Sequence, residues 1–250
     1  MHKHRVVVAF IVVSVLWSNS AVLGLDFRDG GYHVIDYSIF PAVHVDRSRP
    51  GARTRVVLRE GGLIMAWLDA HEDSRVTISG GEIRGSLEAR DNAHLIIKAG
   101  QIGGLVCAKD SSVIEISGGS MDSWVHTFDN VEMTITGGDI GSFVDAWDDS
   151  RITISGGTIG ECISSIGDAL ITLIGTDFAV NGTGVGNGDF ASDYATAGTL
   201  TGILANGDAL NNPFKLINPH ADIQFIFIPE PATVLLLGLG GLIWGRRSKV

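Results

Sequence analysis

A motif that returns at one fixed interval constrains this chain more than any other feature of its sequence. Glycine pairs stand at Gly61/Gly62, Gly80/Gly81, Gly118/Gly119, Gly137/Gly138 and Gly156/Gly157, with Ala99/Gly100 in the remaining step and Gly175/Thr176 as a degenerate last copy. Nothing is inserted between them, so the step from 61 to 80 to 99 and onward is constant at 19. A short, fixed period marks a solenoid, in which one unit cannot bury its own apolar face and stacking buries it instead.

The columns of the repeat assign each residue to a face. One runs Val76, Leu95, Ile114, Met133, Ile152, Ile171, and two residues on runs Ile78, Ile97, Ile116, Ile135, Ile154, Leu173. Polar residues such as Thr77, Thr134 and Thr153 alternate with them, so the period is 2 and the segment is a β-strand with its apolar side inward. Past the glycines comes a third inward column of Ile83, Ile102, Met121, Ile140, Ile159 and Phe178. A second strand then turns Leu87, Val106, Val125, Val144 and Ile163 inward, with Ala89, Ala108, Thr127, Ala146 and Ser165 two places further on.

Two or three short strands and tight turns in each such unit make one coil of a parallel β-helix, each strand pairing with its copy about 4.8 Å away. The fold class is therefore all-β. Leucine-rich and helical repeats are excluded by the lack of an Asn column and of helical periodicity. The glycine pair supplies the corner, where positive φ is needed.

The register also constrains the chemistry. Cys107 shares a column with Glu88 and His126, whereas Cys162 shares one with Trp124 and Phe143 and lies three coils on. Three rungs span about 14 Å, beyond the roughly 7 Å that a disulfide allows between Cα atoms, so no internal bridge is expected. The turn after the second strand stacks Glu72, Asp91, Asp110, Asp129 and Asp148. Two readings stand for this column: turn residues that bond backbone locally, or oxygen ligands for calcium, the one cofactor the sequence brings into consideration.

The outward face of the second strand carries the candidate site. Two adjacent coils place Trp124, Phe128, Phe143 and Trp147 at the corners of a patch, with His126 beside Asp145 at its centre. Exposed aromatic rings with polar groups between them suit sugar rings and their hydroxyls, making extracellular polysaccharide a candidate partner. The competing expectation is that residues 182–228 fold back over this face, or that two molecules pair there. A catalytic reading would need clustered carboxylates in a groove; the repeat offers only His126/Asp145, with Glu88 two coils away and no long loops to wall a cleft, so no catalytic residues are assigned. An ice-binding array is excluded because Ile96, Lys98 and Glu115 interrupt the Ser/Thr face.

Both ends of the chain differ from the repeat. Residues 1–24 carry Lys3 and Arg5, an apolar run from Val6 to Trp17 broken only by Ser14, and then small residues. This reads as a secretory signal peptide cleaved after Ala21 or Gly24, being too short for a membrane anchor. At the other end, Pro229, Glu230 and Pro231 precede an apolar run from Ala232 to Trp244 and a basic close of Arg246, Arg247 and Lys249. The order of tripeptide, apolar helix and Arg-rich end resembles the PEP-CTERM sorting tail of Gram-negative-type bacteria. The resemblance implies recognition of the tripeptide by an exosortase-type membrane protease, transient inner-membrane anchoring, and cell-surface or extracellular delivery, often beside exopolysaccharide production. The run "LTGILANGDALNN" resembles the closing segment of secreted planctomycete solenoid proteins that carry the same tail.

Processing to about residues 25–231 takes away five basic residues and no acidic ones, so thirteen bases face 28 acids and the net charge falls from −10 to −15. Nucleic acid is excluded as a partner by that balance. The expected organisation is a signal peptide at 1–24, an N-terminal cap at 25–55, β-helix repeats at 56–180, a C-terminal cap coil and hairpin at 181–228 and a sorting tail at 229–250. The expected role is that of a non-enzymatic surface or extracellular matrix protein. A polysaccharide-binding protein is the alternative, and a β-helix polysaccharide lyase or hydrolase comes third.

Overall fold

The protein is described from a computed structural model, which covers residues 24–47, 52–218 and 220–229. Among the described residues every regular element is a β-strand except one turn of 3-10 helix at Ala191–Asp193. The strands stack into a β-solenoid of about eight turns.

Three parallel ladders form its sides. The first comprises Tyr32–Ile35, Arg55–Leu58 and the opening halves of Arg75–Ile83, His94–Ile102, Val113–Met121, Glu132–Ile140, Arg151–Ile159 and Leu170–Val180, closed by Asp222–Phe227. A short corner ladder starts at Ser38–Ile39 and Leu63–Ile64 and continues through the closing ends of those long strands up to Ile159. The second-strand ladder runs Leu25–Phe27, Val43–Val45, Leu68–Ala70, Leu87–Ala89, Val106–Ala108, Val125–Thr127, Val144–Ala146, Ile163–Ile166 and Ala209–Ile217. Pairs one period apart, such as Leu95↔Ile114 and Val125↔Val144, hold the predicted register.

The inward columns form one core along the axis. Val76, Leu95, Ile114, Ile78, Ile97, Ile135, Leu87, Val106, Val125 and Val144 are all sealed from solvent. A further inward column lies just after the turn, at Ser74, Ala93, Ser112, Val131, Ser150 and Ala169, all fully buried. Its small and hydroxylic residues hide it from hydrophobic patterning. Thr127 Oγ1 donates to Ser150 Oγ at 2.9 Å, so the one Thr of the alanine column is satisfied internally.

The glycine pair makes a bend within a continuous strand. Register shifts fall between Ile116 and Ser117 and between Ile135 and Thr136, just ahead of the pairs, so the corner is a β-bulge. The second glycine of the pair supplies the left-handed geometry: φ is +90° at Gly119 and +102° at Gly138, and a Cβ on Gly138 would stand 3.2 Å from the backbone of Gly118.

The N-terminal end departs from the expected cap. Residues expected to cap the first coil instead extend the helix, since Leu25↔Val43 and Val43↔Leu68 lie in the same parallel ladder, the first step slightly shorter than the regular coil and the second distinctly longer. Tyr32, Tyr37 and Phe40 are exposed on these opening coils. At the other end Ala197–Leu204 and Ala209–Ile217 form the expected antiparallel hairpin, and Ala197–Leu204 also pairs antiparallel with Leu170–Val180. Phe178 and Phe225, 5.5 Å apart, close the end of the core. The half-buried thiols of Cys107 and Cys162 are free, and burial pushes both above the ordinary thiol range.

Candidate functional site

The middle residue of each short second strand points outward between two inward neighbours. Register places Asp26, His44, Asp69, Glu88, Cys107, His126, Asp145, Ser164 and Lys215 side by side along the molecule. Around His126 and Asp145 the positions before and after the strands carry Trp124, Phe143, Phe128 and Trp147, so the line runs there as a shallow trough. Asp145 and Ser164 are 8% and 7% exposed although they point away from the core.

The predicted aromatic corners stand around His126 and Asp145. Trp124 meets Phe143 edge to face at 5.3 Å and His126 at 5.1 Å, while Phe128 stacks on Trp147 at 5.9 Å with ring planes 25° apart. Trp124 is 44% exposed and the other three rings are half-buried. His126 Nδ1 lies 3.2 Å from Asp145 Oδ2 but is not aligned for a hydrogen bond. His126 Nδ1, Asp145 Oδ1 and Trp147 Nε1 are buried polar atoms with no hydrogen-bond partner among the protein groups. These atoms are sealed under the rings, so what the patch presents to solvent is aromatic face, Trp124 above all.

Nothing in residues 182–218 or 220–229 lies over this patch. The hairpin stacks at the end of the solenoid instead, Ile163↔Phe214 continuing the ladder and Asn212 Nδ2 donating to the carbonyls of Ile159 and Glu161. The expected covering is thus corrected. The reason is that the end coil has unpaired strand edges, and chain that satisfies them gains backbone hydrogen bonds that an outer face does not offer.

The Asp column is a hydrogen-bonded turn ladder. Asp91, Asp110, Asp129 and Asp148 have φ between +55° and +61°. Each carboxylate accepts the N–H of its counterpart one coil back: Glu72 to Asp91 at 3.0 Å, Asp91 to Asp110 at 3.1 Å, Asp110 to Asp129 at 3.0 Å and Asp129 to Asp148 at 3.2 Å. Oδ2 of each Asp is thereby committed to backbone, and the bond runs between coils rather than within the turn as sequence reasoning held.

Further along the trough, Glu88 takes ion pairs from Arg90 at 2.8 Å and Lys109 at 2.7 Å. Burial pushes its carboxyl up, but the two cations outweigh burial and hold it below the ordinary range. Trp67, Asp69, Gly85, Ser86 and Glu88 line a shallow pocket beside it. Sequence reasoning gave no role to this stretch, and the only signal was the polar middle residue repeated at His44, Asp69 and Glu88.

Residues 227–249 match the PEP-CTERM protein-sorting motif. This motif marks the chain as an exported protein. It comprises Pro229, at the end of the described residues, and Glu230, Pro231, Arg246 and Arg247, which lie outside them, as does the expected signal peptide apart from Gly24. Among the described residues no helix is long and apolar enough to cross a membrane. No curated protein and no solved structure matches the chain.

Proposed function

We propose that this exported chain is a non-enzymatic surface or matrix protein, released by an exosortase-type membrane protease and used as a rigid spacer. The observation that carries the reading is the union of a sorting motif at 227–249 with a solenoid whose two main parallel ladders together extend from Leu25 to Phe227. A stack of parallel rungs with short turns holds a fixed length and presents long side faces, as a display or spacing element requires. The trough around His126 and Asp145 is walled by side chains and not by long loops, which favours contact over chemistry.

One observation favours a second reading, an extracellular polysaccharide as ligand. The aromatic patch presents exposed Trp124 beside half-buried Phe128, Phe143 and Trp147, faces on which sugar rings stack. The two readings separate in one experiment. The full chain and a Trp124→Ala, Trp147→Ala variant are run through native gels containing a panel of extracellular polysaccharides, while reducing ends are assayed in parallel. A spacer migrates alike in every gel, whereas a glycan-binding face gives retardation that the variant loses. Release of reducing ends would sink the non-enzymatic reading. Export and tail removal are checked separately by intact mass of the protein recovered from its host.

A further inference from the structure

At the N-terminal end of the trough a second cluster stands apart from the aromatic patch. His44 is the middle residue of Val43–Val45 and Asp69 that of Leu68–Ala70, and the two are direct partners in the parallel ladder. His71 follows two residues after Asp69, so it shares the outward face. Their ligand atoms all lie within 4.8 Å of one another, and all three residues are half-buried. His44 Nδ1 and Asp69 Oδ2 are 3.3 Å apart, close to the separation that two ligands about 2.0–2.2 Å from a tetrahedral zinc adopt. It is the one grouping of three such side chains with this spacing among the described residues.

We infer that His44, Asp69 and His71 bind a divalent transition-metal ion, zinc in the first instance, on the outer face of the opening coils. Two imidazoles and one carboxylate are a borderline nitrogen and oxygen set, which suits zinc and its neighbours and falls short of the six or more oxygens that calcium takes. The position also has a structural use: the step from His44 to Asp69 is longer than the regular one, and an ion shared by both strands would tie the opening coils to the regular stack.

The test uses the full-length chain purified in mild detergent and stripped with a chelator. Zinc is titrated calorimetrically and cobalt by its visible absorption, against a His44→Gln, His71→Gln variant and, separately, Asp69→Asn. His2 and His4 are common to all three proteins and cancel in the comparison. The expected result is one equivalent of metal bound by the unaltered chain beyond what the double variant binds, with affinity falling at least about tenfold in Asp69→Asn. Intense cobalt absorption typical of four-coordination should be lost in the double variant, and zinc should raise the melting temperature of the unaltered chain alone. Equal stoichiometry and affinity in all three, or no zinc-dependent rise in melting temperature, would overturn the inference. The metal-free melting temperatures show whether each variant is folded, and the isosteric Asp69→Asn carries the test alone if the double variant is not.

Discussion

The carboxylate of Asp110 does two jobs at one position: it tolerates φ of +61° and accepts the Asp91 N–H from the coil before. Asp110→Asn keeps an acceptor and a residue type that enters the left-handed region, so its denaturation midpoint should stay near that of the unaltered chain. Asp110→Ala loses both and should cost about 1–2 kcal/mol in urea unfolding. Ser74 presents the opposite case. Its hydroxyl is fully buried with no partner, although Ala93 and Ala169 fill the same inward column. Ser74→Ala should therefore stabilise the protein by roughly 0.5–1.5 kcal/mol, since an unsatisfied buried hydroxyl costs about that much or more. Glu88 makes stability depend on acid. Its folded-state carboxyl titrates below the ordinary value of 4.5, so its contribution is complete above that value and is lost as pH falls through the lower folded one. Between pH 7 and pH 3, Glu88→Gln should lose less of its urea midpoint than the unaltered chain does.

At the scale of the element, the bulged corner decides whether one long strand can serve two sides of the coil. Gly138 sits in the bulge at φ +102° with neighbouring backbone where a Cβ would go. Gly138→Ala should cost about 1–3 kcal/mol, and amides of Glu132–Ile140 should show the largest loss of hydrogen-exchange protection. The second strands are too short to hold a trough by themselves, each being three or four residues in most coils. What positions their outward side chains is the pairing on either side, which fixes His126 opposite Asp145 and His44 opposite Asp69.

For the whole molecule, the C-terminal hairpin is the piece that ends the stack. It pairs with the last second strand at Ile163–Ile166, while Asp222–Phe227 covers Leu170–Gly175. A chain ending after Val180 would leave both edges open in a molecule whose every ladder can accept another strand. Such a truncation should elute from a sizing column as large, heterogeneous species, and the unaltered chain as a discrete one. Among the described residues the opening strands Leu25–Phe27, Tyr32–Ile35 and Ser38–Ile39 pair on one side only.

Period and alternation determined the coil, its inward columns and the meeting of Trp124, Phe143, Phe128 and Trp147 around His126 and Asp145, because in a stacked parallel ladder residues one period apart in sequence are also neighbours in space. That reasoning stops where the spacing changes. His44 and Asp69 are separated by more than one regular period, so no column joined them, and only the pairing of Val43 with Leu68 brought them together. The buried Ser and Ala column after the turn was equally unreadable, since small residues give no hydrophobic period while a narrow corner of the core still admits them. The Asp ladder was legible as a column but not in its bonding, because whether a carboxylate meets its own turn or the one behind depends on the stagger between coils. The fate of the chain beyond Val180 was likewise a tertiary decision: open strand edges at the end of the stack offered hydrogen bonds that the outer faces did not.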